Sequence, residues 1–300
     1  MPDDLYLAFA ERYRGSRDLV KSRLGVYLPF VEPLQFIDRD CSAVDLGCGR
    51  GEWLELLQGM GIQAFGVDVN EDMIAVCRNL GLAAERADAL GYLKRLPDAS
   101  VAIVSGFHLA EHVHFDDLQA MVREALRALK PAGLLILETP NTENILVGTS
   151  HFYLDPTHHK PIPPLLLSFL PEHIGFERTK ILRLQEPSGL AKSESIRLLD
   201  VLGAVSPDVA VVAQKAVAIP AQAALFDPAF DRSYGLELET VTAWYDAGIL
   251  DKLAGLSSRV DELLQAHDQL NKILASTSWR LTEPLRALVN AARSIRDMFR

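Results

Sequence analysis

The chain is predicted to be an α/β protein built on a doubly wound, mostly parallel sheet, and three observations carry that expectation. Short apolar runs alternate with amphipathic ones from residue 41 to about 216, the pattern of strands joined by crossover helices. The run Val44-Asp45-Leu46-Gly47-Cys48-Gly49-Arg50-Gly51-Glu52-Trp53-Leu54 passes from a buried strand into a helix across three glycines. Beyond the alternating region, apolar residues recur at heptad spacing, which sets a helical extension apart from the sheet domain.

Taken in order, Leu5, Phe9 and Tyr13 fit one face of a first helix. Ser16 can cap a second carrying Leu19, Val20, Leu24 and Tyr27, which Pro29 should end. These make a helical cap over residues 1–40. Ala43 to Leu46 reads as the first strand, and Trp53, Leu54, Leu56 and Leu57 as the helix after it. Ile62 to Val69 is the second strand, with Asp68 near its end, 23 residues after Asp45. A carboxylate at that distance can hold ribose hydroxyls in such folds. Leu82 to Ala87 gives the third strand, Val101 to Gly106 the fourth, and Leu134 to Thr139 the fifth, with an amphipathic helix over 115–129 between the last two. A helix over 161–173 and strands near 176–185 and 208–216 complete a Rossmann-like sheet of seven strands. The domain is expected over 41–218, followed by a linker over 219–248.

Hydrophobic residues make up 49% of the 300 and charged ones 23%, with a formal net charge of −10, which disfavours nucleic acid as a partner. Cys41, Cys48 and Cys77 form no C-x-x-C pair and read as reduced thiols of a cytoplasmic protein. No signal-peptide pattern opens the chain and no apolar run reaches the length of a bilayer span. The expectation is a soluble protein, or one attached to a membrane face.

The glycine spacing is G-x-G-x-G after an acidic residue, not the G-x-G-x-x-G of dinucleotide sites. It favours a nucleoside bearing an amino-acid tail over a pyrophosphate. Two histidine-rich stretches follow strands four and five. In the first, Phe107-His108-Leu109-Ala110-Glu111-His112-Val113-His114, the pair His108 and His112 would share a face on a helix. H-x-x-E-H formally matches a zinc-peptidase motif, but a strand end in a nucleotide fold is the wrong setting and no third ligand is evident. The second stretch runs from His151 to Pro161 and contains Tyr153, Asp155, His158 and His159; it reads as a catalytic loop or as a solvated one.

Asp45-Leu46-Gly47-Cys48-Gly49-Arg50-Gly51 resembles the first motif of class I S-adenosylmethionine-dependent methyltransferases. Residues 9–220 resemble, within them, bacterial methyltransferases of lipopolysaccharide O-antigen assembly, including chain-capping enzymes. The matching segments are Phe9 to Arg17, Tyr27-Leu28-Pro29-Phe30, the glycine turn, Glu111-His112, Glu138-Thr139-Pro140-Asn141 and the Tyr153 to His158 loop. The resemblance implies S-adenosylmethionine as cofactor, held by Asp45, Gly47, Gly49, Gly51, Asp68, Val69, Met73, Asp88, Ala89, Gly106 and Phe107. Asp88 would bond the adenine amino group, and Met73 would lie against the adenine or in the core. Arg14 or Arg17 would reach the methionyl carboxylate, as guanidinium geometry allows. His112, His151 and His158 are candidate bases or positioning groups, with Asp155 as orienter, and no metal is expected. The implied acceptor is a glycan or lipid-linked polysaccharide, methylated on a sugar hydroxyl or a terminal phosphate. Some capping relatives carry a kinase domain that this chain lacks, which keeps the hydroxyl open. The rivals are a non-catalytic scaffold of a polysaccharide assembly complex and a methyltransferase of another small molecule.

Ile249, Leu253, Leu256, Val260, Leu263, His267, Leu270 and Leu274 keep alternating spacings of four and three, a coiled-coil seam over 249–275 or one helix docking on its own domain. Residues 276–300 carry five arginines against two carboxylates, interleaved with Leu281, Leu285, Leu288, Val289, Ala292, Ile295 and Phe299. Such a basic amphipathic helix can lie on an anionic membrane, dock a partner, or pack as core. Ser278 to Thr282 with Pro284-Leu285-Arg286 resembles tails of bacterial polysaccharide glycosyltransferases, which favours peripheral attachment to the inner membrane.

Overall fold

The computed structural model describes residues 15–193 and 195–298. The helix expected around Leu5, Phe9 and Tyr13, and the candidate Arg14, lie outside them. Helix α1 (Arg17–Leu24) is capped by Ser16, whose hydroxyl oxygen accepts from the Leu19 amide at 3.3 Å. Pro29 does not itself end the helix that Ser16 caps, which stops at Leu24. After a 3₁₀ turn over Gly25–Tyr27 it sits in the first turn of α2 (Leu28–Ile37), where a missing N–H has no intrahelical partner to lose.

The chain then alternates: β1 (Ser42–Leu46), α3 (Glu52–Gly59), β2 (Gln63–Asp68), α4 (Glu71–Asn79), β3 (Ala84–Arg86), α5 (Ala89–Arg95), β4 (Val101–Phe107), α6 (Phe115–Ala128), β5 (Leu129–Pro140), α7 (Ile145–Thr149), α8 (Pro164–Ile174), β6 (Arg178–Leu184), α9 (Leu198–Gly203) and β7 (Asp208–Gln214). The seven strands form one sheet in the order β3-β2-β1-β4-β5-β7-β6. Pairings among β1 to β5 are parallel, and β7 runs antiparallel between β5 and β6. From β1 the chain moves outward to β3, then returns to the other side at β4. The crevice at that reversal is where open α/β sheets bind their ligands.

Period-two alternation divides the core between the sheet's two faces. Leu135 and Leu137 of β5, with Val209, Val211 and Ala213 of β7, meet α6 and α8 on one face. Leu134, Ile136, Ala210 and Val212 point to the other, where they join Tyr27, Phe30 and Trp53. Helix α6 buries Leu118, Met121, Val122 and Ala125, the three-and-four spacing of a single stripe.

The expected linker over 219–248 is corrected. Residues 220–225 form a 3₁₀ turn and Asp227–Phe230 a short helix, α10. Phe226 is fully buried, Phe230 packs on Phe30 with ring centroids 5.2 Å apart, and the Arg178 guanidinium lies 4.0 Å from the Phe230 centroid. Two aromatics one helical turn apart anchor the start of this stretch.

The first compact unit runs to Thr242, and the second spans Ala243–Arg300. Helix α11 (Leu238–Ala275) begins well before the expected residue 249, and the seam residues within the second unit are exposed along it. Ser276 caps α12 (Thr277–Leu281), and α13 (Glu283–Met298) follows. Arg286 lies 3.6 Å from the Trp279 ring centroid and donates to the Trp279 carbonyl, which fixes the bend between those two helices. No helix among the described residues is long and apolar enough to cross a membrane.

Candidate functional site

Gly47, Gly49 and Gly51 all have positive φ, of 67°, 51° and 79°. Side chains at such positions are strained, which is the local reason that three glycines follow β1. The loop is tied on both sides. The Cys48 amide donates to the Val67 carbonyl at 3.0 Å, and the Gly49 amide to Asp68 Oδ2 at 2.9 Å. The other oxygen of Asp68 accepts from the Asn70 amide at 2.9 Å. Asp68 therefore braces the glycine loop while it faces the cavity.

That cavity, of about 480 Å³, is within the range of small-molecule sites. Gly47, Gly49, Asp68, Val69, Met73 and Ala89 line it, joined by Ala87, His108, His112 and Thr157. A second lobe of about 110 Å³ shares Gly47, Gly49 and His108, and adds Arg23, Asp45, Trp53, Phe107, Glu138 and Gln185. Two lobes of unequal size meeting at a glycine loop suit a nucleoside with an amino-acid tail. The buried Trp53 Nε1–H, in the smaller lobe, has no hydrogen-bond partner among the described residues and is available to a ligand. Asp45 is also buried there and accepts from the Ser105 hydroxyl at 2.7 Å. Burial pushes its carboxyl up to about 7 against that hydrogen bond.

Several expected residues fall elsewhere. Asp88 is exposed and lines neither lobe, because its carboxylate caps α5, accepting from the Gly91 amide at 2.7 Å. Its neighbours Ala87 and Ala89 supply that wall instead. Gly51 and Gly106 lie behind the lobes, Gly51 packing on Leu82 and Cys77, and Gly106 on Leu109 and Leu137. Arg17 binds the Arg50 carbonyl and Glu55, at 2.9 Å, and so ties α1 to α3 rather than facing a lobe. Arg23, which the sequence reading missed, lines the smaller lobe together with Arg50 of the glycine loop. Its signal was positional, since 20, 23, 24 and 27 lie on one helical face.

Beyond β4 the two histidine stretches come together, though not on a helix. His108 takes a left-handed conformation, φ 53°, and only Ala110–His112 form a 3₁₀ turn. The rings of His108 and His112 consequently serve different networks. His108 Nδ1 is 3.1 Å from Glu111 Oε1, and its Nε2 is 3.4 Å from Glu138 Oε1 and 3.9 Å from Asp208 Oδ1. Burial disfavours the imidazolium, but the carboxylates outweigh it and hold His108 protonated well above the usual histidine range. Glu111 also accepts from the Thr139 hydroxyl at 3.0 Å, and Glu138 from the Tyr27 hydroxyl. Tyr27 of Y-L-P-F, Glu111 of E-H, and Glu138 and Thr139 of E-T-P-N thus meet around one histidine that none of those segments contains.

His112 turns the other way. Its Nδ1 is 2.9 Å from Thr157 Oγ1, whose hydroxyl lies 2.6 Å from Asp155 Oδ1. The His158 ring packs edge-on against that of His112, centroids 4.6 Å apart, and the His159 amide donates to the Glu111 carbonyl at 2.8 Å. The predicted candidates His112, His158 and Asp155 are therefore neighbours, whereas His151 is exposed and lines neither lobe. Two sets of donor atoms, Glu111–His112–His158 and His108–Glu138–Asp208, are close enough to surround an ion. Hydrogen bonds to His108 and Thr139 already engage Glu111, and in the second set His108 is itself the cation.

A family model described as a methyltransferase domain matches residues 44–137. The crystal structure of a SAM dependent methyltransferase from Archaeoglobus fulgidus superposes with a TM-score of 0.62 at 34% sequence identity, covering 70% of this chain and 99% of that one. A Mycolicibacterium smegmatis protein named "Probable S-adenosylmethionine-dependent methyltransferase" is 31% identical over 153 residues, 51% of this chain and 58% of its own length. A ubiquinone biosynthesis O-methyltransferase of Methylococcus capsulatus is 33% identical over 123 residues, 37% of this chain and 51% of that protein. The chain spans little more than half the length of these two curated relatives. Near-complete coverage of the Archaeoglobus protein, on a cavity shaped for a nucleoside and its amino-acid tail, means that this chain belongs to the class I S-adenosylmethionine-dependent methyltransferases, whose cofactor its glycine loop, Asp68 and Trp53 fit.

Proposed function

We propose that the chain transfers a methyl group to an oxygen of a bacterial surface polysaccharide, a sugar hydroxyl or a terminal phosphate of an O-antigen chain. The observation that carries this reading is the histidine-rich mouth of the cofactor cavity, where His112 and Thr157 share a wall with Gly47 and Gly49. S-adenosylmethionine supplies a methyl group on a positively charged sulfur. The protein must then hold an acceptor oxygen about 3 Å from that carbon and accept its proton. His112 is the base, an imidazole being suited to that task near neutral pH. His108 is not, because its carboxylate neighbours keep it protonated.

A phenolic acceptor is the second reading, favoured by the likeness to the Methylococcus ubiquinone O-methyltransferase. We further propose that residues 249–275 associate chains and that residues 276–300 hold the enzyme against the anionic inner membrane face, near lipid-linked glycans. A panel of soluble acceptors separates these readings by the S-adenosylhomocysteine released: an oligosaccharide with a free terminal hydroxyl, the same with a terminal phosphate, and a catechol. His112→Gln should lower kcat on a hydroxyl acceptor by about 100-fold or more, and far less on a phosphate, which is already ionised. Turnover of the catechol alone supports the phenolic reading. Tight cofactor binding with no turnover on any of the three identifies a scaffold.

A further inference from the structure

We propose that Thr157 is a positioning residue that holds His112 in one tautomer, protonated at Nδ1 with its lone pair on Nε2, by donating its own hydroxyl proton to Asp155. The proposal rests on the base role given to His112 above.

A threonine hydroxyl carries one proton and can accept through its lone pairs. Thr157 Oγ1 lies 2.6 Å from Asp155 Oδ1 and 2.9 Å from His112 Nδ1. An ionised carboxylate only accepts, so the shorter contact uses the hydroxyl proton. Thr157 then meets Nδ1 only as an acceptor, and Nδ1 must carry hydrogen. In a neutral imidazole the lone pair is consequently on Nε2, the atom that can take a proton from an acceptor. The state of Asp155 supports this ordering. Burial raises its carboxyl, but the hydroxyl and amide of Thr157 act the other way, and it lies below the usual carboxylate range.

Thr157 has little freedom to turn away. Its amide also donates to Asp155 Oδ1, at 2.8 Å, and the His158 amide donates to the Asp155 carbonyl at 3.3 Å. His158 Nδ1 donates to the Phe152 carbonyl at 2.6 Å, and the His159 amide bonds the Glu111 carbonyl. Titratable groups near His112 include Glu111 on its own segment, and Asp155 and His158 on the loop. Of these, only Asp155 reaches the His112 ring through Thr157, which is why removal of one hydroxyl should act on the tautomer.

Histidine ¹⁵N resonances of the full chain, with His112 assigned by its absence in His112→Gln, test the proposal without an acceptor. The wild type should show a protonated Nδ1 and an unprotonated Nε2. Thr157→Ser should keep that state, and Thr157→Val, which has threonine's shape without the hydroxyl, should lose it. In turnover of the hydroxyl-terminated oligosaccharide, Thr157→Val should lower kcat at least 10-fold, and serine should restore it. A wild-type His112 protonated at Nε2, or one whose tautomer Thr157→Val leaves unaltered, overturns the proposal. If the tautomer changes as expected but His112→Gln still turns over the oligosaccharide, the positioning stands and the base role fails.

Discussion

Asp45 is a carboxylate kept in the protein interior at the smaller lobe, and its proton is the point at which pH should enter cofactor binding. Burial raises it to about 7, and Asp208, half-buried beside His108, is raised to about 6. Groups raised in the folded state bind protons that the unfolded chain has released. Their contribution to stability is present at low pH and disappears as pH climbs from the usual carboxylate range through those values. His108, raised well above the ordinary histidine value, acts in the same direction at higher pH. The ligand reverses this for Asp45, since a cationic sulfonium and ammonium favour the ionised carboxylate, so binding should release a proton. Affinity for S-adenosylmethionine should therefore increase between pH 6 and 8 and level off above. Calorimetry in buffers of different ionisation heat measures both the affinity and the proton released. In Asp45→Asn the binding should be weaker and independent of pH; a wild type with a flat profile would falsify the role of Asp45.

At the scale of elements, the turn from β1 into α3 and the tip of β4 do most to shape the site, and both depend on backbone that ordinary residues resist. A Cβ at Gly51 would come within 2.6 Å of Leu82 Cδ1 and 2.9 Å of Cys77 Sγ, at a φ of 79°. Gly61 has the same kind of backbone, φ 80°, with nothing within 4 Å of a built Cβ. Gly61→Ala should thus cost only the left-handed conformation, about 1–2 kcal/mol, and leave cofactor affinity intact. Gly51→Ala adds the clash with Cys77 of α4 and with Leu82 ahead of β3 and shifts the loop that carries Gly49, so it should cost more in urea denaturation and weaken cofactor binding at least 10-fold. Equal effects of the two substitutions would mean that the loop accommodates a side chain. The His108 tip belongs to the same class. Its positive φ separates two rings that a helix would have stacked on one face.

For the whole molecule, the chain joins a compact nucleotide-binding unit to a second unit of exposed helices, and each has its own physical task. Helix α13 carries Leu285, Leu288, Val289 and Ile295 exposed, interleaved with Arg286, Arg293 and Arg296. Apolar burial contributes about 25 cal/mol per Å², and each arginine near an anionic surface adds about 1 kcal/mol. One such helix binds a membrane weakly, whereas several presented together gain avidity with no new contact. Deleting residues 276–300 should abolish sedimentation with phosphatidylglycerol vesicles and leave cofactor affinity unchanged. Removing 249–300 should also give monomers in analytical ultracentrifugation. A full chain that is already monomeric and ignores such vesicles assigns this unit to packing instead.

The sequence by itself determined the sheet and its cofactor. Strand-forming apolar runs, glycines after β1 and an acidic residue at the end of β2 are local signals, because each obeys a steric or periodic rule readable over a few residues. The antiparallel course of β7 was implied only by the likeness of Asp208 to Lys215 to the closing strand of class I methyltransferases. The roles of individual side chains were decided by tertiary structure. That Asp88 caps a helix, that Arg23 rather than Arg17 lines a lobe, and that Phe226 and Phe230 turn a supposed linker into core all depend on partners far away in the chain. The same holds for His108 and Thr157. His108 gathers carboxylates from β5, β7 and its own turn, and Thr157 reaches His112 across 45 residues. Spacing identifies a residue's neighbours along one element, but a charge or a tautomer is set by whatever folding brings within hydrogen-bonding distance.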